Sequence, residues 1–151
     1  MTHTHELPTA ERTIAASAEE IFKAWTTPSL VETWWGPDGF STTAHELDAR
    51  PGGRFSFEMT APSGKSCIMS GTYITVEPPT QLVFEVSDHC NLDLPDGVEP
   101  QTETSLVTVQ FVENDGKTRV LLTHTHLNRD YSWLATASWA QSLDKIQTGD
   151  L

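Results

Sequence analysis

Between Phe40 and His126 apolar side chains alternate with polar ones, whereas on either side of that stretch they recur every three to four positions. A period of two puts successive side chains on opposite faces of a strand, and a period of 3.6 lines one face of a helix. Phe55, Phe57 and Met59 alternate with Arg54, Ser56 and Glu58, and Leu82, Phe84 and Val86 share one face of their segment. Turn-forming residues interrupt the alternation at 51–53, 62–64, 77–79 and 114–116, so this region is expected to form six successive strands. Val107, Val109 and Phe111 run into Asn114-Asp115-Gly116, and Val120 and Leu122 follow, which predicts a hairpin. The polar stretch 88–101 holds two prolines and reads as a loop.

The flanks carry helical signals. A first strand over about 6–15 is followed by Ser17-Ala-Glu-Glu20, where a serine hydroxyl caps a helix and a glutamate three residues on reaches back. Ile21, Phe22, Trp25 and Leu30 continue at helical spacing, Thr27-Pro28 interrupts them, and a second short helix over 30–35 closes at Gly36-Pro37. From Asp130, a candidate N-cap, Trp133, Ala137, Ala140, Leu143 and Ile146 predict one long helix. Strand, two short helices, six strands and a long helix make an α+β fold whose helices cover one face of a curved seven-stranded antiparallel sheet. Such a sheet gripping a helix leaves a gap wherever bulky side chains do not fill it, and apolar ligands occupy gaps of that kind.

The 151 residues fit a single domain spanning the whole chain, with residues 1–5, including His3 and His5, expected to be disordered. A chain of this length buries roughly 68–70% of its unfolded surface and needs no covalent staple. Cys67 and Cys90, outside any Cys-x-x-Cys pair, read as buried free thiols in a reducing, cytoplasmic setting. The start of the chain has no basic stretch followed by an apolar run, and no segment approaches the ~18 apolar residues of a membrane span.

Twenty-one acidic against nine basic side chains give a formal charge of -12, and Lys and Arg stand singly along the chain. Nucleic acid and anionic membrane surfaces are therefore excluded as partners, since both require clustered cations. A neutral, apolar or cationic ligand is expected. No Gly-x-Ser-x-Gly elbow, phosphate-cradling loop or dinucleotide fingerprint is present. Neither cysteine sits in a nucleophile motif, and Glu58 and Glu85 alternate with aromatics as on a solvated outer face. No catalytic residue, cofactor or metal is assigned.

His124 and His126, two apart, share a face if the strand reaches them. They are read as a hydrogen-bonding pair at a ligand's polar end, as two of three metal ligands with His89 or Cys90, or as a strand end surfacing into solvent. No carboxylate is spaced to complete a metal signature. Trp34 and Trp35 are either both core, or one packs inside while the other caps an opening. The candidate ligand-binding residues are Trp35, Phe40, Phe55, Phe57, Met59, Met69, Tyr73, Phe84, His89, His124, Trp133 and Ala137, each with plain core packing as the alternative.

Several segments in order resemble one family: Arg12-Thr-Ile-Ala-Ala-Ser-Ala-Glu-Glu-Ile-Phe-Lys-Ala-Trp25, Trp34-Trp35-Gly36-Pro37, Arg50-Pro-Gly-Gly-Arg-Phe55, Gly71-Thr-Tyr-Ile-Thr-Val-Glu-Pro-Pro79 with Leu82-Val-Phe84, and Thr118-Arg-Val-Leu-Leu-Thr-His124. Trp139 and Leu143 match its closing pattern, with Ser138 where glycine is usual. Together they resemble the helix-grip proteins of the START-like (SRPBCC) superfamily, in particular those similar to activators of the heat-shock protein 90 ATPase. The resemblance implies a cavity between sheet and terminal helix that takes a hydrophobic small molecule. It also implies, as alternatives, a co-chaperone or stress-response interaction module acting through its outer surface on a chaperone, and a cyclase-like or hydrolytic enzyme. Binding without catalysis is the leading expectation, by a monomer or a homodimer.

Overall fold

A computed structural model describes residues 9–148. The chain runs β1 (Ala10–Ile14), α1 (Ala18–Thr26), α2 (Pro28–Trp34), β2 (Ser41–Leu47), β3 (Arg54–Thr60), β4 (Ser66–Glu77), β5 (Gln81–Asp88), β6 (Ser105–Asn114), β7 (Lys117–Thr125) and α3 (Arg129–Thr148). Its seven strands form one antiparallel sheet in the order β1-β7-β6-β5-β4-β3-β2. The predicted element order and helix-grip architecture are those observed, and residues 88–101 contain no strand beyond Asp88. Residues 1–8, with His3, His5 and the predicted start of β1, lie outside the described residues.

The start of α1 forms the expected reciprocal cap. Ser17 Oγ accepts from Glu20 N at 3.1 Å while Glu20 Oε1 accepts from Ser17 N at 3.4 Å. Glu113 on β6 also accepts from Ala18 N at 2.7 Å, which docks this helix end on the sheet. Proline at the first position of α2 loses no helical hydrogen bond, so α2 begins at Pro28 rather than at residue 30. The Trp34 indole donates to Ala24 O at 3.0 Å and locks α2 onto α1.

Trp25 lies at the centre of the core. Its ring lies 4.6 Å from Trp34, 6.0 Å from both Trp35 and Trp139, and 6.1 Å from Phe111, so three helices and the sheet meet on one side chain. Both Trp34 and Trp35 are buried. In α3 the inward stripe is Ala135, Trp139, Leu143 and Ile146, and Trp133 is 78% exposed. Of the predicted stripe, Leu143 and Ile146 are buried as expected, whereas its N-terminal part, Trp133, Ala137 and Ala140, is out of phase with the buried Ala135 and Trp139. The cap is Asn128, whose Oδ1 accepts from Tyr131 N at 2.8 Å, in place of the expected Asp130.

Cys67 and Cys90 form a disulfide, which corrects the expectation of free thiols and removes the support it gave to a reducing compartment. Ser70 on β4 pairs with Asp88 on β5. Three residues before Ser70 and two after Asp88, Cys67 and Cys90 come together, with Cα atoms 5.4 Å apart. Among the described residues no helix is long and apolar enough to cross a membrane.

Gly71 sits where the β4–β5 register shifts. A Cβ there would stand 1.8 Å from Glu85 O and 2.9 Å from the Phe55 ring, so backbone would have to move. Gly71→Ala is expected to cost about 3 kcal/mol or more in urea unfolding, and a cost under about 1 kcal/mol would contradict this close approach. Reducing the disulfide, or replacing both cysteines by serine, is expected to lower stability by roughly 2–4 kcal/mol; an unchanged melting temperature would show that it does not restrain the folded chain.

Candidate functional site

The C-terminal half of α3 is pinned to the sheet by Trp139, Leu143 and Ile146, and Arg12 on β1 pairs with Asp144 at 2.6 Å. Ahead of Leu143, the small side chains of Ala135, Ser138 and Ser142 line the space beneath the helix and do not fill it. A cavity of about 280 Å³ results. Its apolar walls come from Trp35 and Phe40 between α2 and β2, Met59 on β3, Met69 on β4, and Leu92 and Leu94 in the segment after β5. His89, His124 and Tyr131 close one end.

Side-chain bonds fix these walls. Ser142 Oγ accepts from Gly36 N at 3.2 Å and Gln141 Oε1 accepts from Asp38 N at 2.9 Å, tying α3 to the α2–β2 connection. Tyr131 donates its hydroxyl to Cys90 O at 2.8 Å. The 89–104 segment is held internally by Asn91, which exchanges two bonds with the Gln101 backbone, at 2.9 and 3.1 Å. Gln101 in turn donates to His126 O and accepts from Asn128 N, joining this wall to the start of α3.

The polar end is a single chain of hydrogen bonds. Trp139 Nε1 lies 3.0 Å from His124 Nδ1, His124 Nε2 lies 2.7 Å from Ser105 Oγ, and Ser105 Oγ lies 2.7 Å from His89 Nε2. An indole nitrogen only donates, so His124 Nδ1 accepts and the proton of neutral His124 is on Nε2, which donates to Ser105. The Ser105 hydrogen then goes to His89 Nε2. The opposite arrangement would leave both the buried serine hydrogen and a ring lone pair unsatisfied, at about 1–3 kcal/mol each. His89 therefore carries its proton on Nδ1, a buried atom with no partner.

Burial lowers the pKa of His124 to about 3, with His89 adding to the shift, and it lowers that of His89 as well. The Tyr131 hydroxyl is pushed up to about 12 by burial. His124 is 8% exposed and His89 9%, so both are neutral parts of the wall. The expectation of a strand end surfacing into solvent holds for His126, which is exposed beyond β7 with φ 66°, and fails for His124. The metal set considered from sequence is not assembled among the described residues: His126 is exposed while His124 is buried, and Cys90 is bonded to Cys67.

Of the sequence candidates, Trp35, Phe40, Met59, Met69, His89, His124 and Ala137 line the cavity. Phe55, Phe57, Tyr73 and Phe84 face the same side of the sheet but lie in filled core: Phe55 is 5.2 Å from Phe57, 5.5 Å from Tyr73 and 5.3 Å from Phe84. Trp25 and Trp35 cover them, so no gap remains there. Trp133 stands outside the cavity. Sequence reasoning missed Ser105, Tyr131, Trp139 and the leucines of the 89–104 segment. Ser105 had a signal, since it is a polar residue in phase with inward-facing Val107, Val109 and Phe111.

A histidine held neutral in the fold takes up a proton on unfolding near its ordinary value of 6.5. The stability due to His124 is thus complete above pH 6.5 and is lost as the pH falls toward 3. Between pH 7 and 5 this loss amounts to up to about 2 kcal/mol, at roughly 1.4 kcal/mol per pH unit. Urea unfolding of His124→Gln is expected to show a shallower pH dependence over that interval; an equal loss in both proteins would contradict the burial of a neutral imidazole.

The family described as "Activator of Hsp90 ATPase homolog 1-like protein" matches residues 15–148. Among solved structures, the AHSA1 protein from Silicibacter pomeroyi is 27% identical, with 91% of this chain and 92% of that one covered and a TM-score of 0.75. The AHSA1-like protein from Aeromonas hydrophila is 26% identical, with 91% and 90% covered and a TM-score of 0.68. A protein from Chromobacterium violaceum, 20% identical over 93% and 96% with a TM-score of 0.74, shares the fold. No curated protein sequence matches the chain. With most of its length matched by one family and the same fold in these relatives, the chain belongs to the activator of Hsp90 ATPase homolog 1-like family.

Proposed function

We propose that this protein binds a neutral, largely apolar small molecule in the cavity between α3 and the sheet. The observation that carries this reading is the cavity itself, about 280 Å³ with mainly apolar walls and one convergent polar end, the usual form of a small-molecule site. Burying roughly 250 Å² of apolar ligand surface at ~25 cal/mol per Å² supplies about 6 kcal/mol before the costs of association. The chain's charge of -12 favours uncharged ligands over organic anions. The histidines support binding rather than proton transfer, because both nitrogens of His124 are engaged and its basicity is suppressed.

Titration with the neutral fluorescent probe N-phenyl-1-naphthylamine tests this. Wild type is expected to bind one equivalent saturably. Ala135→Leu, which fills the space under α3, is expected to weaken binding by roughly tenfold or more while leaving the protein folded, and Trp133→Ala to leave binding unchanged. Binding that is indifferent to Ala135→Leu would contradict the assignment of the site.

A further inference from the structure

We propose that the Cys67–Cys90 disulfide is a redox latch on the cavity wall: a dithiol reductant that opens it frees the loop carrying Leu92 and Leu94, and the cavity then holds its ligand less tightly. The inference rests on the binding reading above. Cys67 stands on β4 opposite Met59 and two residues before Met69, and both methionines line the cavity. Cys90, itself a lining residue, leads into Leu92 and Leu94. One covalent bond therefore joins the strand-borne wall to the wall that has no ladder. In the step, a thiolate of the reductant attacks one sulfur, forming a mixed disulfide and expelling the other cysteine as a thiolate; the reductant's second thiolate then displaces the first cysteine. Both cysteines take up a proton, and the two electrons come from the reductant, which leaves as a disulfide.

Asn91 and Gln101 close residues 92–100 into a loop through the bonds between them. At its far base this loop is moored to the start of α3, where Asn128 donates to Glu99 O at 3.0 Å and to Pro100 O at 3.2 Å. At its near base it has the disulfide, the Tyr131 bond to Cys90 O, and the bond between His89 and Ser105. The tip has little of its own. Among the described residues, the hydrogen bonds of positions 92–98 run from Val98 N to Pro95 O at 3.1 Å and from Lys65 to Asp93 at 3.3 Å. The first is internal to the loop, and the second is an exposed ion pair of little strength. With the disulfide cut, the other moorings lie on α3 or at His89, and only that ion pair ties the loop to the β3–β4 side of the cavity. A loop that occupies its wall position roughly a third to a tenth of the time lowers the apparent affinity by the same factor. Both cysteines are half-buried, at the margin of the core.

The test titrates N-phenyl-1-naphthylamine into oxidised wild type, into wild type reduced with dithiothreitol, and into the reoxidised protein, with opening of the bond read as the mass gain of two hydrogens. Reduction is expected to raise Kd about three- to tenfold while the far-UV circular dichroism of the sheet is retained, and reoxidation to restore it. Cys67→Ser/Cys90→Ser is expected to match the reduced protein with or without dithiothreitol. Leu92→Ala/Leu94→Ala separates release of the wall from general loosening: its affinity is lower from the outset, and reduction is expected to change it less than about twofold. A Kd unaltered by reduction, an equal fall in the leucine variant, a bond that dithiothreitol does not open in the folded protein, or loss of the sheet signal on reduction each overturns the proposal and leaves the binding reading intact. Absence of saturable binding to oxidised wild type removes the binding reading and the proposal with it.

Discussion

Trp139 stacks on Trp25 with ring centres 6.0 Å apart, meets Trp35 edge-on at 5.1 Å and donates its indole hydrogen to His124. One side chain of α3 thus joins the aromatic core to the polar end of the cavity. On its C-terminal side Leu143 and Ile146 press the helix onto the sheet, and on its N-terminal side small residues leave the space open. The same tryptophan fixes the His124 tautomer, and through Ser105 that choice reaches His89. Packing and hydrogen-bond direction are set together, which is why the cavity has a defined chemistry as well as a shape.

The division of labour among the walls follows from what holds each one. Met59 and Met69 stand on neighbouring strands of a continuous ladder, and Trp35 is clamped between Phe57 and Trp139. These positions belong to the scaffold. Leu92 and Leu94 lie in a segment with no backbone ladder of its own, held by Asn91, Gln101 and Asn128 side chains and by the Cys67–Cys90 bond. A wall secured by side chains accepts sequence change at lower cost than a strand does, so this segment is where the shape of the ligand is most readily tuned within the fold.

Much of the fold was legible because period and turn chemistry are local. Alternation through Phe55, Phe57 and Met59 set β3, and Ser17 with Glu20 set the start of α1. Helical phase was not local: the predicted stripe from Trp133 and the observed one from Ala135 both run into Leu143 and Ile146, and only the aromatic partners of Trp139 choose between them. The disulfide was hidden for a related reason, since Cys67 and Cys90 become neighbours only when the β4–β5 register is known. The site was half legible. The aromatic inner face of the sheet predicted lining residues, but Trp25 and Trp35 fill the space over Phe55, Tyr73 and Phe84, and that depends on where the helices rest. His124 and Ser105, polar residues on apolar faces, were the informative pair, and only the first was singled out.

The central claim is that the space under α3 is a built binding site. Two of the chain's three methionines, Met59 and Met69, line it, so ¹³C-methyl methionine spectra recorded during titration with toluene read the cavity directly. The account predicts saturable shifts of both the Met59 and Met69 methyl signals, accompanied by the Trp139 indole N–H. Signals that stay fixed, or drift linearly without saturation, would contradict it.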